Sequence, residues 1–241
     1  MTKSLRILFF IVLLSSINNQ LYSQNTAMTF YNWFDDAVGR DNLDLNNGIL
    51  FVNSDKNQKG NHRFYNEELF TKGSINFDNQ NYFNVMLNYD VYKDLVVLKP
   101  NGNLDRRGIS LANQKTSFFE MNTMKFVNLS YIKPLPNGFD SGFYEEVFKG
   151  NNFTFYFKLK KIKSELIADL TVYDYFRSVE DFIILKDNLF YKINSEKSIS
   201  KLFPSQKKII SDFFTDNYRL ESANKKDFLK VLFQTLNSNL K

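Results

Sequence analysis

Few side chains in this sequence could do chemistry, and they are poorly grouped. There is one histidine, His62, and no cysteine. A thiol nucleophile, a thiolate metal site, a disulfide framework and an acylated N-terminal cysteine are therefore excluded. His62 stands in His62-Arg63-Phe64-Tyr65. A proton-moving imidazole needs an acid or nucleophile brought beside it, and none is identifiable from the sequence, so a surface or partly packed ring is expected. Asp90 and Asp94 flank a turn and could approach each other, but aspartates there ordinarily satisfy the turn's own backbone. Glu145 and Glu146 are strand neighbours and point to opposite faces, so they cannot serve one substrate as acid and base.

Two further clusters were weighed against simpler roles. Asp41-Asn42-Leu43-Asp44-Leu45-Asn46-Asn47-Gly48 collects oxygen donors near a glycine. It lacks the alternating acids and bidentate closing glutamate of an EF-hand loop, and reads as a polar turn. Lys158, Lys160, Lys161 and Lys163 form the densest basic cluster, which could line a groove for nucleic acid or polysaccharide. On a strand, alternate lysines read as a solvated face or a guarded sheet edge. No G-x-G-x-x-G, P-loop, G-x-S-x-G or H-E-x-x-H pattern occurs. Carboxylate-based hydrolysis leaves no compact signature and stays open. No catalytic, cofactor-binding or metal-ligating residue is assigned, and no cofactor is implied.

The elements that must position these residues centre on Gly73 to Leu98. Phe83, Val85, Leu87 and Tyr89 alternate with Asn84, Met86 and Asn88, the period of a strand with one face on a core. Asp78-Asn79-Gln80-Asn81 supplies a turn before it, which makes an antiparallel pair. Leu95 to Leu98 is a continuous apolar run ended by Pro100-Asn101-Gly102, as expected of a central strand covered on both sides.

This stretch resembles a segment found in a family of secreted Bacteroidetes proteins with no established function, of the form Y-D-G-Q-x-Y-x-N-V-x-L-x-Y-D followed by D-x-L-V. Here it reads Phe77-Asp78-Asn79-Gln80-Asn81-Tyr82-Phe83-Asn84-Val85, then Leu87, Tyr89-Asp90 and Asp94-Leu95-Val96. The resemblance extends to Gly142-Phe143-Tyr144-Glu145, Gly150 and the Leu202-Phe203 to Lys208 tail, and spans roughly Gly48 to Phe233. Phe77 and Asn79 stand where the family has Tyr and Gly, but Asn also accepts the left-handed conformation, which preserves the turn. The resemblance implies a fold and an extracytoplasmic address, and carries over no catalytic residue.

Residues 1–23 read as a secretory signal: Lys3 and Arg6, then the apolar run from Ile7 to Leu14, then a polar stretch closing at Ser23. The run is far too short to cross a bilayer, and no integral membrane segment is expected after cleavage. Two of the 31 basic residues fall in that leader, which has no acid, so the formal charge drops from +5 to +3 on its removal. That balance argues against a nucleic-acid partner. The 26 Phe and 13 Tyr fit core packing and compositional drift better than a stacking surface.

Residues 24–195 are expected to form a β-rich domain. It begins with a short helix whose stripe of Met28, Tyr31, Phe34 and Val38 packs on the sheet. Strands follow over Ile49 to Val52, Ile109 to Leu111, Ser117 to Met121 and Met124 to Leu129 as a continuing meander. Two hairpins complete it, Gly142 to Phe148 with Phe153 to Lys160, and Ile183 to Leu185 with Leu189 to Ile193. Residues 196–241 read as helices packed on that domain. Ser198 caps a short turn, Pro204 opens a helix running to about Asp216, and Asn224 caps a last helix with Phe228, Leu229, Leu232, Phe233 and Leu236 inside.

The fold expected is thus α+β: a predominantly antiparallel sheet, curved or barrel-like, with a short N-terminal helix and a C-terminal helical tail. The leading functional expectation is an exported, non-enzymatic binding or structural module of the bacterial cell envelope, in the periplasm, at the outer membrane or released, with an envelope protein or polymer as partner. The alternative is a carboxylate-dependent hydrolase of an envelope or extracellular polymer. A carrier for a lipid or a partner strand, which needs an apolar cavity or an unprotected edge, ranks below both. The mature protein is expected to begin near Gln24. Mass spectrometry of its N-terminus checks this, and intact Met1 on protein recovered from cytoplasm would refute export.

Overall fold

A computed structural model describes residues 28–100, 107–168 and 170–239. The expected signal segment and the cleavage position lie outside these. Eleven strands form one antiparallel sheet in the order β1-β5-β4-β3-β2-β6-β7-β8-β9-β10-β11. They are β1 Ile49–Phe51, β2 Thr71–Phe77, β3 Gln80–Asp90, β4 Leu95–Leu98, β5 Gly108–Ser110, β6 Thr116–Met121, β7 Met124–Asn128, β8 Phe143–Lys149, β9 Phe153–Ala168, β10 Thr171–Lys186 and β11 Leu189–Lys192. Helices are α1 (28–38), α2 Leu129–Ile132, α3 Glu196–Leu202, α4 Lys207–Asp216, α5 Tyr218–Ala223 and α6 Lys225–Ser238. The class is α+β, as the sequence pattern indicates.

Local chemistry explains the hairpins. Asp78-Asn79, Asn122-Thr123 and Asp187-Asn188 each hold two consecutive positive φ angles, the two-residue geometry that matches strand twist and favours Asn and Asp. The sheet is open and curved rather than closed. Its curl brings Tyr89 of β3 edge-on to Phe119, Phe126 and Phe143, on three strands across the core, at 5.3, 5.3 and 6.0 Å. The meander is interrupted twice: β1 pairs with β5, so the chain passes β5, β4 and β3 to reach β2, and it returns past β4, β3 and β2 between β5 and β6. β4 is buried on both faces as expected, but lies third from one edge rather than at the centre.

β3 departs from strict alternation. Asn84 has φ 59° and goes unmatched where Gly73 pairs with Val85 and Ser74 with Phe83, which is a β-bulge. The bulge reverses the facing of everything before it. Tyr82, not Phe83, joins Leu87 and Tyr89 in the core, and Phe83 meets Tyr31 of α1 at 5.9 Å. Asn88, expected on the solvent face, is buried and donates to the Glu67 and Glu68 carbonyls.

The C-terminal helices cover one face of the sheet. Phe228, Leu229, Leu232, Phe233 and Leu236 of α6 are all fully buried, and Phe233 packs on Phe153 and Phe155 of β9 at 5.7 and 4.9 Å. Asn224 caps α6 by accepting the Asp227 amide. The cap of α3 is Ser195, with Ser198 returning the bond three residues on, so Ser198 completes a capping box rather than starting the helix.

Two elements differ more sharply from expectation. α1 buries Asp35 while Met28, Phe34 and Val38 of its stripe remain exposed, so only Tyr31 of that stripe meets the sheet, through Phe83. β9 and β10 run as a 16-residue pair. Beyond Phe157 and Phe182 their ladders reach only each other, apart from an isolated Asn57–Asp174 bridge. The bulge gives a direct test of the fold. Asn84→Val is expected to cost about 1–2 kcal/mol in denaturant unfolding, from a left-handed backbone without a tolerant side chain, while Asn84→Gly is expected to leave stability nearly unchanged.

Candidate functional site

The ionisable side chains gather at the end of the curled sheet where β3 turns into β4. Asp94 sits in that turn with φ 56°. Its carboxylate accepts the Tyr89 hydroxyl at 2.5 Å, Lys158 Nζ at 3.0 Å and the Phe143 amide at 3.4 Å. Gly142 lies so close that a Cβ there would stand 1.7 Å from Asp94 Oδ2, and its φ of 93° independently calls for glycine. Lys158 also donates to the Ser141 and Phe143 carbonyls at 3.0 and 3.1 Å. Burial, and next Asp94, raise the Tyr89 phenol well above its ordinary pKa, so it stays a donor.

A second network adjoins the first. Glu145 accepts the Tyr65 hydroxyl at 2.5 Å and Lys226 Nζ of α6 at 3.0 Å, and the Tyr65 ring stacks on Tyr89 at 6.1 Å. Burial, followed by Glu145, holds the Tyr65 phenol far above its usual range. α6 is thereby tied to β8 by charge as well as by packing.

Asp90 belongs to the opposite face of β3. Its Oδ1 accepts the Tyr92 and Lys93 amides, each at 3.0 Å, which is the turn role expected of it. Its Oδ2 lies 3.6 Å from Arg63 Nε, which is 2.9 Å from Asp55. These are ion-pair distances without aligned hydrogen bonds. Burial raises the Asp90 pKa, against the lowering effects of the Lys93 amide and Arg63. Arg63 is boxed by the Tyr92, Phe176 and Phe51 rings at 5.1, 5.9 and 6.0 Å. Lys163 bridges Asp55 and Asp174 at 3.0 and 2.9 Å.

Lys161 donates to the His62 and Phe64 carbonyls. Burial pushes its pKa down to about 8, against the raising effects of the Asp90 and Glu68 charges. Burial, then Lys161, lower the His62 pKa, and its Nδ1 is buried without a hydrogen-bond partner.

Some candidate residues of the sequence find the places expected, and the lysines of β9 do not. Lys158 is 3% exposed and each of the four lysines holds a named partner, so they form neither a solvated face nor a polyanion groove. His62 is buried beside a lysine, with no acid or nucleophile bonded to its ring. Glu145 and Glu146 do point apart, the latter 3.7 Å from Lys125. Asp90 and Asp94 turn to separate networks. Residues 41–48 form two 3-10 turns anchored by buried Leu43 and Leu45. Among the described residues no group of three His, Cys, Asp or Glu side chains could hold a metal ion.

Space for a ligand lies elsewhere. A cleft of about 710 Å³ runs beside β1, lined by Ile49, Leu50, Val52, Phe77, Leu95 and Leu111, with Lys93, Lys115 and Asp44 among its polar groups. Asp44 is its sole carboxylate. Lys115 is engaged with Asp78 at 2.8 Å.

Arg63, Asp55, Tyr65 and Lys226 carried no readable signal, because their partners are distant in sequence: Glu145 is 81 positions from Lys226. One signal was available. Tyr89, Asp90, Asp94, Gly142 and Glu145, five residues that carry the family resemblance, all belong to these networks. No family model, curated protein or solved structure matches the chain. The fold and site therefore define a class alone, an α+β protein with an open, curved antiparallel sheet pinned internally by buried ion pairs.

The internal role of Asp94 and Lys158 can be measured. Lys158→Met is expected to cost about 2–3 kcal/mol of unfolding free energy, as a buried ammonium and its bonds to Asp94, Ser141 and Phe143 are removed. Lys160→Met, where the lysine itself is about a third exposed, is expected to cost less than about 1 kcal/mol. Equal losses in urea titrations would contradict the assignment.

Proposed function

We propose that the protein is an exported, non-enzymatic binding or structural module of the bacterial cell envelope. The observation that carries this reading is the β1 cleft, with aliphatic and aromatic walls and one carboxylate among its lining residues. Such a surface recognises by shape and apolar contact. The hydrolase alternative asks for two acids facing across a cleft, roughly 5–9.5 Å apart. The other acids described above are engaged in networks that hold the fold. The leader-like N-terminus and the family resemblance support the extracytoplasmic address. No helix among the described residues is long and apolar enough to cross a membrane, so the partner proposed is an envelope protein or polymer.

Ala112 lines the cleft with an exposed side chain. Ala112→Trp fills it and should shift the tagged protein from the envelope fraction to the soluble extracytoplasmic fraction, with thermal unfolding unchanged. Release of soluble fragments from envelope polymer, abolished by Asp44→Asn, would instead establish a hydrolase.

A further inference from the structure

β1 is one of the two edges of the sheet, and among the described residues no strand pairs with its outer side. No ionisable side chain and no proline occur between Asp44 and Asp55, although charges and prolines are the usual devices that keep an edge from pairing. Ile49, Leu50 and Val52 are 78, 64 and 56% exposed. The other edge, β11, carries Lys192 and follows a turn with the Lys186–Asp187 pair.

Hydrogen bonding fixes which groups of β1 are free. The Lys99 amide donates to Met86 and the Leu111 amide to Val96. Alternation along β4 and β5 then points Ser110 and Gly108 at β1, where they face Ile49 and Phe51. The N–H and C=O of Leu50 consequently point away from the sheet.

We propose that this edge pairs antiparallel with β1 of a second copy about a two-fold axis at Leu50, joining two sheets edge to edge. The Leu50 amide donates to the carbonyl of the partner's Leu50 and receives the same bond in return. Gly48 and Val52, also outward by alternation, extend the ladder on either side. A strand is the occupant that matches an unpaired backbone edge. A second copy fits because the uncharged run opposes no like charges across the axis, the usual obstacle to self-pairing. The two-fold arrangement closes on itself and gives a dimer rather than a filament. This inference goes beyond the envelope-binding reading: Ile49, Leu50 and Val52 also line the cleft, but the pairing uses the backbone edge of β1 and does not depend on what the cleft binds.

Sedimentation of the mature protein over a wide concentration range is the test. The wild type should reach twice the monomer mass. Leu50→Lys and Leu50→Glu each place like charges directly opposite at the axis. They should weaken association at least about ten-fold, some 1.4 kcal/mol, while an equal mixture of the two restores the dimer. Amide exchange at Leu50 in the wild type should slow as concentration rises, a readout independent of either variant's folding. A wild type that stays monomeric, a dimer indifferent to both substitutions, or a mixture that fails to reassociate would overturn the proposal. A monomer still retained by the envelope would overturn it and leave the binding reading standing.

Discussion

Two carboxylates, the fully buried Asp90 and the partly buried Asp94, lie at the ends of one tight turn, and a carboxylate drawn out of water is tolerable only when donors meet it. Their side chains leave the turn in different directions, so the constraint is imposed on both sides of the sheet. Asp94 draws in Lys158 from β9, the hydroxyl of Tyr89 and the backbone at Gly142 and Phe143. Asp90 holds the turn's own amides and sets a carboxylate beside Arg63. Arg63 then needs Asp55, and Asp55 also receives Lys163. Segment 53–65 lies along the β9–β10 hairpin because these demands have to be met together.

Charge and apolar surface are thus partly exchanged between inside and outside. Lys158, Arg63, Asp90 and Glu145 are interior, while Leu50, Ile167, Leu170 and Trp33 face solvent. Each of these four interior charges is offset by a specific partner, so its burial supports one geometry rather than general collapse. The exposed apolar groups fall on the edge strand β1, at the tip of the β9–β10 pair and on α1, away from the buried networks. A folded core gains nothing from them there. Leu170 combines full exposure with φ 59°, a left-handed conformation that costs a leucine energy which Asn or Gly would avoid. The turns at 78–79, 122–123 and 187–188 use Asn, Asp or Thr at such positions.

What could be read in advance follows from the range of the physics involved. Asp78-Asn79, Asn122-Thr123 and Asp187-Asn188 announce hairpins because the determinant lies within two residues. The stripe and cap of α6 are legible for the same reason. The Asn84 bulge is hidden because alternation looks equally good on either side of it, and only the partner strand's register reveals the extra residue. The partners of the β9 lysines are hidden because alternation says which face a side chain takes but not what lies across it. Asp94, Asp140 and the carbonyls of 62 and 64 are turn or loop groups that no local pattern places, and Asp174 is reached only through the β9–β10 register. α1 has the periodicity of a packed helix, but periodicity cannot tell an apolar stripe facing its own sheet from one left exposed.

The choice of ion pairs over apolar contacts at this junction has a reason in β9 itself. Phe153, Phe155 and Phe157 repeat one aromatic on one face, with Phe182 and Phe233 packed against them. A slip by two residues would replace phenylalanine with phenylalanine over much of that surface, so packing alone discriminates weakly between registers. A slip one way puts Tyr156 in the place of Lys158 and leaves Asp94 without its ammonium; a slip the other way puts Lys160 there but takes it from Asp140 and Asp181 and moves Lys158 into the buried site of Tyr156. A slipped β9 would strand a buried ammonium and a carboxylate at once, which is far costlier than a shifted ring. The lock therefore contributes discrimination where the hydrophobic pattern, being repetitive, supplies only adhesion.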